Sequence, residues 1–254
     1  MIVVQLFKKQ LDRSLAADQQ LTLKQGYGVE GDRNAWAGSP RQVLIVSQPT
    51  LTEFDLKPGD LYENILVDAP IADLVSGQVI QIGEALIRPT FLCEPCAYLE
   101  TIRKGLSRQI KGKRGLLGMV ARSGTIAVGD RVIPTSYRLP FLAEDAKSRF
   151  FEFVAGIPAG KVVTTADLVL ALGVARTYYR VLPTFIKKAP ADLPVHRIVA
   201  IDGSLFSRYI PDQAERLADE GVEAVAGKVG NRHRWQPENF HDLTLDPQPS
   251  AIVD

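Results

Sequence analysis

The sequence predicts an α+β chain of two domains, a β-barrel followed by a helical unit built on a helix-turn-helix. Three observations point there. Short β-branched runs bounded by Gly, Pro or Asp dominate the first half. The hydrophobic period then changes across a proline-containing connector at 134–142 (PTSYRLPFL). Beyond it, two helical segments flank a tight turn at Gly173.

The elements follow in order. MIVVQLFKKQLDR reads as a first strand; it is too short and too soon charged for a signal peptide. VLIVS (43–47), VIQIG (79–83), ALIRPTF (85–91) and TIAVGDRVI (125–133) read as strands, with Gly83-Glu84 and Gly129-Asp130 as turns. Many short strands with few long helical patterns suggest a barrel or sandwich. After the connector, AEDAKSRFFEFVAGI sets Ala146, Phe150, Phe153 and Val154 at helical spacing. Thr165 is placed as the cap of a helix over ADLVLALG that Gly173 closes. A second helix is expected from Ala175 to Lys188, and another over DQAERLADEG (212–221). The last residues, LTLDPQPSAIVD, read as a loose tail. The domains are set at 1–137 and 143–225, with 226–254 as a C-terminal extension.

At 254 residues the chain has room for two cores, and its 46% hydrophobic content can fill them. No apolar run is long enough to span a membrane, so no membrane partner is expected. The only two cysteines, Cys93 and Cys96, rule out a disulfide scaffold and suggest a cytoplasmic protein. A net charge of +1 gives no global pull on nucleic acid. Two local clusters differ: RKGLSRQIKGKR (103–114), and Arg176, Arg180, Lys187 and Lys188, both without an acid.

In the C-terminal half, four segments carry a family resemblance: IPAGKVVTTADLV, GVARTYYRVLPTFIKKAP, LPVHRIVAIDG and LADEGV. In this order they resemble the DNA alkyltransferases that remove alkyl groups from guanine. The resemblance is to the alkyltransferase-like branch, which lacks the reactive cysteine. It implies a winged-helix-like unit that binds alkylated DNA without repairing it. Val195 stands at the lost nucleophile position, followed by His196 and Arg197. An isopropyl group cannot accept an alkyl group, so the chain is not expected to be an active alkyltransferase. A structural hydrogen bond is the expected job of His196. The resemblance places Arg180 as the residue that enters the base stack when a nucleotide flips, with Arg176 one turn earlier on the same face. Lys187 and Lys188 would meet phosphates. Thr165 occupies the DNA-facing position where the family usually has Tyr, and Pro183 should kink the recognition helix.

In the N-terminal half, CEPC invites three readings. A zinc site lacks partners, because His196, His233 and His241 all lie in the other half. A thioredoxin-type pair lacks its βαβ surroundings. The third is one functional thiol near a basic, anion-binding stretch. Gly31-Asp32-Arg33, Arg41-Gln42-Val43, Glu63-Asn64-Ile65, Cys93 to Cys96, Arg114-Gly115 and Gly129-Asp130 together resemble the MOSC domain. That resemblance implies a β-barrel linked to molybdenum cofactor, with Cys96 carrying sulfur or ligating molybdenum. Arg41, Asn64, Arg103, Lys104 and Arg114 become candidate cofactor contacts. Reduction of N-hydroxylated compounds is the implied activity, on an unidentified small molecule. Neither zinc nor pyridoxal phosphate is expected. The rival expectation is a non-enzymatic lesion-binding module that recruits a repair protein, with the barrel as scaffold. The match of residues 26–31 to GxGxxG is taken as chance, since no helix is expected after it.

Overall fold

The structure, a computed structural model, describes residues 1–245. The tail assignment beyond residue 245 lies outside the described residues. The described chain divides into two compact units: 1–142 together with the residues from Asp242 onward, and Ala143–His241.

Unit 1 contains β1 (Val3–Lys9), β2 (Leu15–Asp18), β3 (Gln20–Lys24), β4 (Gly28–Val29), β5 (Val43–Ser47), β6 (Ile65–Val67), β7 (Gln78–Ile82), β8 (Ala85–Leu92), β9 (Leu116–Arg122), β10 (Gly124–Ala127) and β11 (Val132–Arg138). Its helices are α1 (Gln48–Glu53), α2 (Leu99–Ile102) and α3 (Leu106–Gln109). Eight strands form one sheet in the order β11-β7-β8-β9-β5-β6-β1-β2, and β10-β3-β4 form a second. Ile2 bridges Arg131, and the Val3 amide donates to Asp130 O at 2.9 Å. The start of β1 thereby meets the entry to β11, and the large sheet curls back on itself. β5 is buried along its whole length because it has apolar partners on both faces. Val43 and Ile45 join the cluster of Leu6, Ile65 and Ile87, whereas Leu44 and Val46 pack with Leu51, Leu99 and Leu106.

Three sequence expectations shift in this unit. The 125–133 run is two strands, because Gly129-Asp130 breaks it and sends β10 to the smaller sheet. The presumed connector is strand as far as Arg138, with Pro134 opposite Ile80. Proline is tolerated there because β11 is an edge strand of the ladder. Leu243, assigned to the tail, is buried against Val79, Leu86 and Met119. The GxGxxG stretch is followed by no helix before β5.

Unit 2 contains α4 (Ala146–Ala155), β12 (Val163–Thr164), α5 (Thr165–Ala171), α6 (Leu182–Lys187), β13 (Ile198–Val199), α7 (Gln213–Asp219), β14 (Ala224–Val225) and β15 (Lys228–Val229). Asp145 caps α4 by accepting from the Ser148 amide at 2.9 Å, and the helix buries Phe150, Phe153 and Val154. β12 pairs in parallel with β13. The cap of α5 is Thr164, one residue before the expected Thr165. Its hydroxyl accepts from the Asp167 amide, and the Asp167 carboxylate accepts from the Thr164 amide, a reciprocal box. The single helix expected over 175–188 is divided. Arg176–Arg180 form a 3-10 turn, and α6 starts afresh at Leu182. Pro183 explains the break: it has no N–H, and its ring excludes a continuous α-helical turn before it. Residues 226–241, set apart as an extension, pack into this unit. Trp235 stacks on Phe153 with ring centroids 5.5 Å apart, and Phe240 meets the same ring edge-on.

Candidate functional site

In unit 1 the sequence-predicted residues gather around the CEPC segment, which follows β8. Cys93 is 3% exposed and lies among Leu44, Val46, Phe91 and Leu99, whereas Cys96 is exposed. The Arg114 guanidinium is buried, and its Nη1 donates to Glu94 O at 2.7 Å and to Cys96 Sγ at 3.3 Å. Arg114 Nε is buried and has no partner among the described residues. Arg41 donates to Glu94 Oε2 at 3.1 Å and to Cys93 Sγ at 3.5 Å. Each sulfur therefore accepts from an arginine, and both arginines grip Glu94. Gly115 sets this arrangement. Its carbonyl accepts from the Cys93 amide at 2.9 Å, and its φ is +132°. A Cβ there would lie 2.7 Å from Ile45 O, so only glycine lets the Arg114 loop approach β5 so closely.

Asn64 is not available to a ligand. It is fully buried; Oδ1 accepts from Lys9 Nζ at 2.7 Å and Leu44 N at 3.1 Å. Its Nδ2 donates to Asp32 Oδ2 at 2.9 Å and Phe7 O at 3.2 Å. All four hydrogen-bonding positions of the amide are filled by protein. The expectation that Asn64 touches a pterin or phosphate is corrected: it is the hub that ties β1, β5 and the Gly31-Asp32 loop together.

Lys9, which sequence reasoning passed over, lies in the same network. Burial pulls its ammonium down to about 8, against the attraction of Asp32, Cys93 and Glu63. Burial raises the Glu63 carboxyl, and its Oε2 has no partner among the described residues. A signal for Lys9 existed: it shares the inward face of β1 with Phe7, two residues earlier, where an apolar side chain is expected.

The basic stretch after CEPC is divided in its employment. Arg103 donates to Phe54 O at 2.9 Å, and Lys113 pairs with Glu53 at 2.5 Å. Lys104, Arg108 and Lys111 are exposed and face solvent. No group of three or more His, Cys, Asp or Glu able to hold a metal ion occurs among the described residues. A cofactor-borne metal taking one thiolate needs no such group. The exposed Cys96 sulfur, Arg41 and the unspent Arg114 Nε fit a soft metal carried by an anionic cofactor.

In unit 2, Val195 is a core residue at 9% exposure, packed in the cluster of Phe150, Leu168 and Ile198. His196 Nε2 lies 2.7 Å from Glu220 Oε1, and the Arg197 Nε and Nη2 atoms reach the same carboxylate at 2.7–3.0 Å. The Gly160 amide also donates to Glu220, at 3.0 Å. Burial alone would raise Glu220; the Arg197, Gly160 and His196 bonds outweigh it and hold the carboxyl down to about 2. Burial likewise lowers His196, against its bond to Glu220. Gln213, fully buried, donates to His196 O at 2.9 Å and Ile198 O at 2.7 Å. His196 and Arg197 thus hold the turn to α7.

Unit 2 also holds a cavity of about 430 Å³ lined by Thr165, Tyr179, Pro183, Ile201, Phe206 and Tyr209 among others. Arg176 and Arg180 sit exposed on the 3-10 turn that supplies Tyr179, and Lys187 and Lys188 close α6. Lys187 Nζ stands 5.2 Å over the Tyr209 ring. Thr165 is half-buried in the cavity wall. Its aromatic walls, Tyr179, Phe206 and Tyr209, went unremarked in the sequence because their spacing matches no single helix or strand face.

No helix among the described residues is long and apolar enough to cross a membrane. No curated protein matches the chain. Among solved structures, the YUAD protein from Bacillus subtilis is 19% identical, covering 52% of this chain and 93% of its own, with a TM-score of 0.46. YiiM from Escherichia coli is 16% identical, covering 71% of this chain and 90% of its own, with a TM-score of 0.42. S. pombe Atl1, solved in complex with damaged DNA containing O6-carboxymethylguanine, is 25% identical over 36% of this chain and 95% of its own, with a TM-score of 0.32. The sequence model of the MOSC domain matches residues 32–133, which run from Asp32 through the CEPC segment and Arg114 into β11.

Proposed function

We propose that unit 1 is a thiol centre that holds molybdenum cofactor or carries sulfur through Cys96, and that unit 2 binds alkylated DNA without repairing it. The observation that carries the first part is the exposed Cys96 sulfur set 3.3 Å from the buried Arg114 guanidinium. A thiolate there would be soft enough for molybdenum or for sulfane sulfur, and the cation would balance its charge. Arg41 and Arg103 or Lys104 would hold an anionic pterin group; Asn64 would not. When bound, the cofactor would supply two-electron redox chemistry, with N-hydroxylated compounds as the proposed substrate class. Protein purified from a cofactor-competent host should carry molybdenum or a persulfide, and Cys96→Ser should carry neither. Absence of molybdenum from the wild type, together with no uptake of sulfane sulfur at Cys96 by either the wild type or Cys93→Ser, overturns this part.

A second reading is a non-enzymatic lesion-binding module whose barrel is a scaffold; the unit 2 cavity supports the lesion binding that both readings share. Its aromatic walls suit a base turned out of the duplex, and Arg180 stands exposed on the adjoining 3-10 turn. Arg176 and Lys188 would supply sequence-independent phosphate contacts. A repair protein would be the further partner under this reading. The two readings part on metal and sulfane-sulfur content.

A further inference from the structure

We propose that Cys93 is a second reacting thiol, which discharges sulfur from Cys96 by closing a Cys93–Cys96 disulfide. This rests on the reading of Cys96 as a sulfur carrier. The two thiols differ in the way such a pair requires. Cys96 is exposed and can meet an incoming sulfur donor. Cys93 is 3% exposed, walled by Val46, Phe91 and Leu99, and is reached only from within the protein. Both sulfurs converge on one peptide group: Cys93 Sγ lies 3.9 Å from Glu94 O, and Arg114 Nη1 joins that oxygen to Cys96 Sγ. Cationic groups attend the pair from three separate segments of the chain. Arg41 contacts Cys93, Arg114 contacts Cys96, and Lys9 lies within electrostatic range of Cys93.

The segment between the thiols belongs to no helix or strand. Cys93 is anchored through its amide to Gly115 O, and the Cys96 carbonyl accepts from Leu99 N. Pro95 has no amide to donate. Closure of the short loop therefore breaks no ladder of hydrogen bonds.

The step balances. The Cys93 thiol gives its proton to solvent and its electron pair to Cys96 Sγ. The bond between that Sγ and the outer sulfur breaks, and hydrosulfide leaves with the bonding pair. A persulfide and a thiol become a disulfide and hydrosulfide, and a dithiol reductant returns the pair to its starting state. The arginines lie where negative charge would pass from one sulfur to the other.

The test loads the full chain with inorganic polysulfide, removes the excess, and follows hydrosulfide release and the mass of the peptide that holds both cysteines. The wild type should release hydrosulfide and leave a peptide lighter than the dithiol by two hydrogens. Cys93→Ser and Cys93→Ala should retain persulfide on Cys96 and release hydrosulfide about tenfold more slowly or worse. The alanine form guards against a folding defect from a buried hydroxyl. If the Cys93 variants load but the wild type also keeps its persulfide and forms no disulfide, the role of Cys93 is refuted and the carrier reading stands. If neither the wild type nor the variants take up sulfur at Cys96, both fall.

Discussion

Glu220→Gln isolates the ionic knot that holds the Val195 turn. The bonds from Arg197, Gly160 and His196 outweigh burial and hold the wild-type carboxyl down to about 2, against 4.5 for a free glutamate. Each unit is worth about 1.36 kcal/mol, so the ionised carboxylate contributes on the order of 3 kcal/mol. Its side chain is half-buried at 14% exposure, so solvent screening trims that figure. Because the folded value lies below the unfolded one, the contribution is complete above about pH 4.5 and fades as pH falls towards about 2. Glutamine keeps the shape and loses the charge, leaving the half-buried Arg197 against a neutral amide. The variant should therefore be less stable by roughly 2–3 kcal/mol near neutral pH, and the deficit should shrink below about pH 4.5. The chain has two tryptophans, and Trp235 stacks in the unit 2 core. Urea unfolding followed at Trp235 in a Trp36→Phe background reads this unit directly. A deficit under about 0.5 kcal/mol at neutral pH, or one that persists unchanged to about pH 3, would mean that the Glu220 charge does not hold this turn.

Gly115→Ala should destabilise unit 1 by about 1–3 kcal/mol and loosen the thiol site, seen as faster alkylation of Cys93; alkylation unchanged from the wild type contradicts it. The lowered Lys9 pKa means the unfolded chain binds more protons above about pH 8, so stability should rise with pH from there towards 10.5. Lys9→Met should abolish that rise in a urea series. Thr164→Ala should cost about 1 kcal/mol of unit 2 stability and Thr165→Ala less, a comparison that thermal unfolding decides. DNA labelled on the guanine alkyl group should leave no label on the peptide around Val195, since that side chain has no nucleophilic atom.

What could be read from the sequence was local. β5 and the β7–β8 hairpin were legible because β-branched runs and the Gly83-Glu84 turn act within a few residues. The break in the 175–188 helix was foreshadowed by Pro183, although not the 3-10 turn that precedes it. Thr164 and Thr165 are chemically alike, so the cap was missed by one residue. Long-range pairings were invisible. Asn64 looked like a turn or ligand residue because its partners Lys9 and Phe7 lie 55 and 57 positions away. Trp235 and Phe240 were passed over because aromatic packing against Phe153 leaves no periodic trace. For the sites, motif order brought Cys96, Arg41 and Arg114 to notice, whereas Lys9 and the aromatic cavity walls needed the fold.

Lesion reading without chemistry by unit 2 is tested by DNA binding of the full chain. Wild type and Arg180→Ala would be titrated by gel shift with plain duplex and duplex carrying O6-alkylguanine, at two salt concentrations. The wild type should prefer the alkylated duplex, by a small margin because the short Thr165 side chain in the cavity wall would press little on a DNA backbone. Arg180→Ala should lose that preference and keep a weak, salt-sensitive affinity from Arg176 and Lys188. Equal binding of both duplexes by the wild type, or no binding to either at low salt, would contradict it.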